Sequence, residues 1–438
     1  MVKAMLDLTI TQERIGALVP AVRNARTHSK KQIRQIAESI RSFGFLNPIL
    51  CDRDRRIVAG HGRWEAAKLA GYQTVPVIYA SDLSPDQLRA YALAENKLSE
   101  LGGWSVEIAA LEFKELSEID LSFDLTVTGF ETAEIDLMLI GEPDEQAAEP
   151  AVPLAVRDVP SISNPGDVFQ IGPHLVVCGD ALTTDAYRHL PRPADMVFTD
   201  SPYNVRVRDI SGLGRTQHPE FVMASGEMSK PAFTAFLRAA ASQLVAHSTD
   251  GSIHFLCMDF RHMAELLAAT EGVYSELKAL CVWTKTNAGM GSLYRSQHEL
   301  VFVLKAGAAP HVNNVQLGKH GRNRTNVWRY PGLNTFGENR EAELAMHPSV
   351  KPLALVADAI MDCSHRGAIV LDAFLGSGTT IIAAHRTGRI GYGIELDPYY
   401  VDVALQRIAA EIGEPARHVA TGLTFEEMRG RVRDGGAK

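Results

Sequence analysis

Cysteine is scarce in this chain and never paired. Five cysteines (Cys51, Cys178, Cys257, Cys281 and Cys363) are scattered through 438 residues, with no two at ligand-pair spacing. This argues against a disulfide framework and a zinc site, and fits a reducing compartment. No apolar run is long enough to span a bilayer. The N-terminal stretch MVKAMLDLTITQ has no long apolar core and carries Asp7, so it does not read as a signal peptide. These absences lead us to expect a cytoplasmic protein with no metal and no membrane partner. A basic excess is missing too: 44 Lys and Arg stand against 52 Asp and Glu, a net charge of −8. Any nucleic-acid contact must therefore come from a local patch. What is present, 46% hydrophobic residues in a chain of this length, suits two or three globular domains.

The most informative stretch is LDAFLGSGTTIIAAHRTGRIGYGIELD, residues 371–397. An apolar strand enters the glycine turn Phe374-Leu375-Gly376-Ser377-Gly378, a helix follows from Thr379, and a second strand from Ile390 ends at Glu395 and Asp397. Glycines let backbone approach a ligand at a helix N-terminus, and a carboxylate closing the next strand can hold ribose hydroxyls. The third glycine of the dinucleotide fingerprint is lacking, Ile381 standing in its place, and no Gly-Lys-Ser/Thr occurs. A pyrophosphate is therefore disfavoured. The turn resembles the Phe-x-Gly-x-Gly turn of S-adenosylmethionine methyltransferases. One helix remains after Glu395, followed by what reads as a short polar tail, so the other strands of a doubly wound sheet must lie upstream.

Upstream, strand 195–199 stops at Asp200-Ser201-Pro202-Tyr203, and strand 175–178 at Gly179-Asp180. Ligands of open α/β sheets gather at such carboxyl ends. Asp-Ser-Pro-Tyr resembles the Asp-Pro-Pro-Tyr motif of enzymes that methylate exocyclic amines. Such an amine is flat because its lone pair is shared with the ring. The Asp200 carboxylate and a backbone carbonyl at Ser201, accepting its two N–H bonds, would let the nitrogen pyramidalise, and Tyr203 would stack on the extruded base. Ser201 loses the rigid φ of the usual proline but keeps the carbonyl. Methylation of cytosine C5 needs a cysteine nucleophile, usually after a proline, and no cysteine here follows one.

Between these motifs, residues 285–329 hold Lys285, Arg295, Lys305, Lys319, Arg322, Arg324 and Arg329 against Glu299 alone, with Tyr294, Trp328, Tyr330 and several asparagines interleaved. Basic, amide and aromatic groups together suit DNA contact, and we expect Lys285, Arg295, Lys319, Arg322, Arg324 and Arg329 to supply it. His347-Pro348-Ser349-Val350-Lys351-Pro352 then opens a helix whose N-terminus, with His347 and Lys351, could hold the methionine carboxylate of the cofactor.

Residues 1–142 read as a separate domain. A helix over 30–43 leads to a strand, turn, strand, loop, helix and strand, with Gly60-His61-Gly62-Arg63 at the start of the second helix. A glycine turn with an arginine there could cradle a phosphate, which makes Gly60, His61 and Arg63 candidates. Residues 31–100 resemble the ParB/sulfiredoxin-like domain in motif order: Gly60-x-x-Arg63, Ala66-Ala67, Val75-Pro76-Val77-Ile78 and Glu95-Asn96. His61 and Gly62 replace arginines of that box, so nucleotide binding does not simply carry over. The helix-turn-helix that normally follows is not visible in the sequence. Residues 143–165, with five prolines and several acids, read as a linker.

Residues 167–410 resemble the permuted, β-type DNA amino-methyltransferases: DSPYN at 200–204, HPSVKP at 347–352, LDAFLGSGTT at 371–380 and GIELDPYY at 393–400, in that order. The whole chain is similar to the fused ParB-like/DNA-methylase proteins of bacteria and their phages. The resemblance implies an α/β fold: a doubly wound, Rossmann-like methyltransferase domain over 166–438, with target recognition at about 205–345, behind a smaller α+β domain. It also implies S-adenosylmethionine bound by Asp180, Asp372, Phe374, Gly376, Ser377, Gly378, Thr379 and Glu395, with Asp200, Ser201, Pro202 and Tyr203 catalytic. Double-stranded DNA is the expected partner; a homodimer and a cognate restriction endonuclease are open. The leading Asp favours adenine N6. Cytosine N4, an RNA target, or a DNA-binding regulator with a degenerate methylase half are the alternatives.

Overall fold

The computed structural model describes residues 8–117, 119, 123–140, 160–205, 224, 226–286, 293–319, 322–331 and 351–435. It divides into two compact units, residues 1–142 and 143–438.

In the first unit a four-stranded sheet runs in the order β1 (Ile10–Arg14), β4 (Thr74–Tyr79), β2 (Ile49–Cys51), β3 (Ile57–Ala59). Helix α1 (Lys30–Phe43) forms where the sequence predicts it. The Ser29 hydroxyl accepts the Gln32 N–H at its start, Ile33, Ala37 and Ile40 are buried at helical spacing, and Gly44 ends it at φ +82°. Helix α2 (His61–Ala70) starts from Gly60 at φ +99°, and α3 (Pro85–Glu100) from a Ser84/Gln87 capping box. Helices α4 (Val106–Ser117) and α5 (Thr132–Ile140) follow.

In the second unit ten strands form one sheet among the described residues. The middle of its order is β8 (Ser248–Met258), β7 (Ala194–Thr199), β12 (Ile369–Asp372), β13 (Ile390–Glu395), β6 (His174–Cys178), all parallel. On one side lie β10 (His298–Lys305), β9 (Glu276–Thr284) and β11 (Val327–Arg329); on the other, β5 (Val168–Ile171) and β14 (Arg417–His418). Helices α6 (Lys230–Ala246), α7 (Met263–Thr270), α8 (Leu353–Cys363), α9 (Thr379–Arg386) and α10 (Pro398–Ile412) connect them. Two apolar clusters share the strands' side chains. One holds Met196, Phe198, Val370 and Ile381; the other holds Val197, Leu371, Phe233 and Tyr392. That alternation is what a sheet covered on both faces requires. The α/β doubly wound expectation is met.

Two expectations are corrected. The segment after Gly413 is not a polar tail. It carries β14 and helix α11 (Phe425–Gly435), anchored by Phe425, which is buried with its ring centroid 6.3 Å from that of Phe169. Nor is the end of the predicted linker loose. The Asp402 carboxylate on α10 accepts the N–H groups of Ile162 and Ser163, at 2.7 and 3.0 Å, and the Ser163 hydroxyl at 2.6 Å.

Candidate active site

The parallel strands deliver their carboxyl ends to one edge, and most of the predicted site residues meet there: Asp180 after β6, Asp200 to Tyr203 after β7, Asp372 to Gly378 after β12 and Glu395 closing β13. The β7 and β12 ends are stitched together. The Thr199 hydroxyl donates to Asp372 Oδ1 at 2.7 Å, Thr380 to Oδ2 at 2.6 Å, and the Phe374 N–H to Oδ1 at 3.1 Å. Asp372 is buried, and burial lifts its carboxyl to about 6. With both oxygens engaged, it shapes the turn from beneath.

The glycine turn has one open and one closed glycine. Gly376 sits at φ +54°, and a Cβ added there would meet nothing within 4 Å. Gly378 sits at φ +89°, and its Cβ would come 2.9 Å from Ile408. The Gly376 N–H donates to Glu395 Oε2 at 2.8 Å, and the Asp397 N–H to Oε1 at 2.9 Å. Burial raises the Glu395 carboxyl to about 7. The Ser377 and Thr379 hydroxyls accept from buried Arg407 at 3.1 and 2.7 Å. Those two side chains brace the turn. Asp180 accepts the Leu182 N–H at 2.9 Å. Phe374 packs beside Phe236, ring centroids 5.9 Å apart.

The Asp200–Tyr203 loop carries a network the sequence did not reveal. The Tyr203 hydroxyl donates to Asp200 Oδ1 at 2.6 Å, and Lys351 donates to Oδ2. Lys351 also lies 3.1 Å from Glu299 Oε2, and Lys285 lies 2.5 Å from Glu299 Oε1. Burial disfavours charge on Lys351, but Asp200 and Glu299 overcome it and hold the ammonium protonated. Burial likewise opposes charge on Glu299, yet Lys351 and Lys285 bring its carboxyl down to about 2. Burial raises the Asp200 carboxyl, against the pull of Lys351. Lys351, expected at the cofactor carboxylate, is paired here with the Asp200 and Glu299 carboxylates. Ser201 is buried, and Pro202 is half-buried. Asn204, left-handed at φ +54°, ties the loop down, accepting the N–H groups of Gly226 and Met228 and donating to the Met228 carbonyl. His347 lies outside the described residues.

The basic segment divides. Arg322 and Arg324 are spent inside the fold on Asp358 and Asp362 of α8, at 2.6 to 3.3 Å. Lys285 is spent on Glu299, and Trp328 is buried. Arg322 and Arg324, paired and largely buried, are withdrawn as DNA contacts, while Lys285 is paired but partly exposed. Arg295, Lys319, Arg329 and Tyr294 are exposed.

In the first unit, His61 Nε2 accepts the Ala21 N–H at 3.1 Å, and burial, with His28 nearby, lowers its basicity. His61 is thus a fold contact. Arg63 reaches the Pro48 carbonyl at 3.4 Å, and its buried Nε has no hydrogen-bond partner.

Comparison with known proteins gives three matched families: the ParB N-terminal domain over residues 8–97, the ParB-methyltransferase HTH domain over 107–165, and DNA methylase over 194–406. The ParB-like nuclease domain-containing protein YnaK of Escherichia coli is 45% identical over 80 residues, 18% of this chain and 92% of YnaK. The chain belongs to the ParB-like/DNA-methylase fusions. The fusion's C-terminal part is similar to the type II methyltransferase M.ScaI of Streptomyces caespitosus, 38% identical over 91 residues, 21% of the fusion and 30% of M.ScaI. The aligned stretch thus spans under a third of that relative's length. Among solved structures, the PvuII DNA methyltransferase (cytosine-N4-specific) aligns with TM-score 0.44 at 14% identity, over 62% of the fusion and 95% of that chain. The HTH match corrects the reading that no such element follows the first domain, and it takes in residues read as linker.

Proposed function

We propose that the fusion transfers a methyl group from S-adenosylmethionine to an exocyclic amine of double-stranded DNA, with adenine N6 as the target. The observation that carries this reading is the meeting of Asp200 and Tyr203 with the Gly376 turn and Glu395 at one sheet edge. The residues fit the cofactor. Gly376 leaves a face open where any side chain would stand, which suits a ligand lying against backbone, and the half-buried Glu395 is placed to accept ribose hydroxyls. S-adenosylmethionine supplies a methyl made electrophilic by its sulfonium.

The chain's own residues then act on the amine. Asp200 accepts an N–H, localising the nitrogen lone pair for attack on the methyl carbon. The new N–C bond forms as the carbon–sulfur bond breaks, its electron pair staying on sulfur. The surplus proton leaves the nitrogen toward the Asp200 carboxylate, whose burial raises its proton affinity. The Tyr203 ring offers a stacking face, and exposed Arg295, Lys319 and Arg329 offer phosphate contacts. Adenine is preferred over cytosine because the loop opens with Asp.

The test is incubation with tritiated S-adenosylmethionine and unmethylated genomic DNA, followed by digestion to nucleosides. Label in N6-methyladenine that is lost in Asp200→Ala supports the reading. Label in N4-methylcytosine changes the base. Absence of both transfer and cofactor binding overturns it.

A further inference from the structure

Both oxygens of Asp200 are occupied, Oδ1 by the Tyr203 hydroxyl and Oδ2 by Lys351. Each oxygen keeps a second lone pair, but a target amine brought against this carboxylate competes there with both donors. Displacing a buried ammonium from its counter-ion leaves an unpaired charge, which is strongly unfavourable when nothing replaces the partner. Here a replacement is already in reach. Glu299 Oε2 stands 3.1 Å from Lys351 Nζ and 3.3 Å from the Tyr203 hydroxyl, the same two donors that hold Asp200. The other Glu299 oxygen is fixed by Lys285 at 2.5 Å. Two carboxylates and two ammoniums make the cluster neutral, so exchanging partners separates no net charge.

We propose that Glu299 is a positioning residue of the methyl-transfer site, taking over Lys351 and the Tyr203 hydroxyl when the target amine replaces them on Asp200. The role rests on the methyltransferase reading above. It involves hydrogen-bond exchange alone, with no bond made or broken. Lys285 keeps Glu299 ionised and aimed; Lys351 is the charge that moves between acceptors.

Two measurements on the full chain test it. In thermal unfolding, Asp200→Asn and Glu299→Gln each leave Lys351 one carboxylate and lower Tm by roughly 2–4 °C, while the double variant strands the lysine and lowers it by more than ~10 °C. In methyl transfer, Glu299→Gln lowers kcat about 30-fold with KM for S-adenosylmethionine within about threefold, Glu299→Asp recovers part of the loss, and in a Lys351→Met background Glu299→Gln costs less than about threefold. Additive thermal effects, or an equal kcat cost with and without Lys351, overturn the positioning role in an enzyme that is otherwise active. A wild-type chain that neither transfers a methyl nor binds S-adenosylmethionine overturns the functional reading and this role with it.

Discussion

Gly376 and Gly378 are two residues apart, both left-handed, and should respond to alanine in opposite ways. Each substitution puts a side chain at positive φ, at a cost of about 1 kcal/mol. At Gly376 nothing adds to that, since the new Cβ meets no atom within 4 Å. At Gly378 the Cβ would lie 2.9 and 3.0 Å from two Ile408 carbons and 3.4 Å from Ala404, so overpacking adds about 1–3 kcal/mol. For a domain of this size, 1 kcal/mol moves Tm by roughly 2–4 °C. Gly376→Ala should therefore melt about 2–4 °C below wild type, and Gly378→Ala about 5–15 °C below it. Cofactor binding should rank the other way. The Gly376 methyl fills the open face and weakens S-adenosylmethionine binding at least ~30-fold, about 2 kcal/mol. Scanning calorimetry and titration calorimetry with S-adenosylmethionine read both quantities on the same samples. If Gly376→Ala binds the cofactor within threefold of wild type, the open face is not where the ligand lies, and the argument from the turn fails.

Glu395 predicts a pH dependence. Its carboxyl is raised from the ordinary 4.5 to about 7. Its contribution to stability is therefore full below about 4.5 and lost as pH rises toward 7; the Tm difference between wild type and Glu395→Gln, followed from pH 4.5 to 8, should show that loss. Cofactor affinity should rise over the upper part of that range, as the ionised carboxylate becomes the better acceptor for ribose hydroxyls, and Glu395→Gln should abolish the rise. The basic segment gives a further contrast. The double variant Arg322→Met/Arg324→Met should destabilise by about 3–5 kcal/mol, measured by urea unfolding, because it strands the Asp358 and Asp362 carboxylates that the two arginines share. Lys319→Ala and Arg329→Ala should leave stability within about 0.5 kcal/mol. Each should instead reduce the salt slope of DNA binding by about one.

The parts of the site legible in the sequence were those where chemistry requires a residue type at a fixed place along the chain. The glycine turn, the carboxylate ending β13 and the Asp-Ser-Pro-Tyr loop are local, and their spacing carried them onto one edge once the strands were recognised. Pairing across long separations was not legible. Arg322 and Arg324 look in sequence like any solvated cations; their partners lie 34 to 40 residues later. A signal did exist, since Asp358 and Asp362 stand four apart on a helix whose other residues are almost all apolar, a face that demands buried cations. Glu299 likewise stood out as the one acid in a basic stretch and was counted as a subtraction from its charge. The motif points Lys351 to the cofactor's carboxylate and the fold pairs it with Asp200 and Glu299, because a helix N-terminus is a sound anion site but says nothing of which acid reaches a lysine first.

The order of strands bears on how the molecule can be made. β12, which pairs on one side with β7 and on the other with β13, is separated from β7 by some 170 residues of chain. At about 5–20 residues per second, the ribosome exposes the β12-facing edge of β7 for roughly 10–40 seconds before β12 emerges. During that interval an apolar strand edge waits without its neighbour, and pairing of such high sequence separation is slow even afterwards. Synthesis of this protein should thus depend on chaperone occupancy late in translation. A ribosome stalled before residue 372 would release a chain with the catalytic loop but without the centre of its sheet.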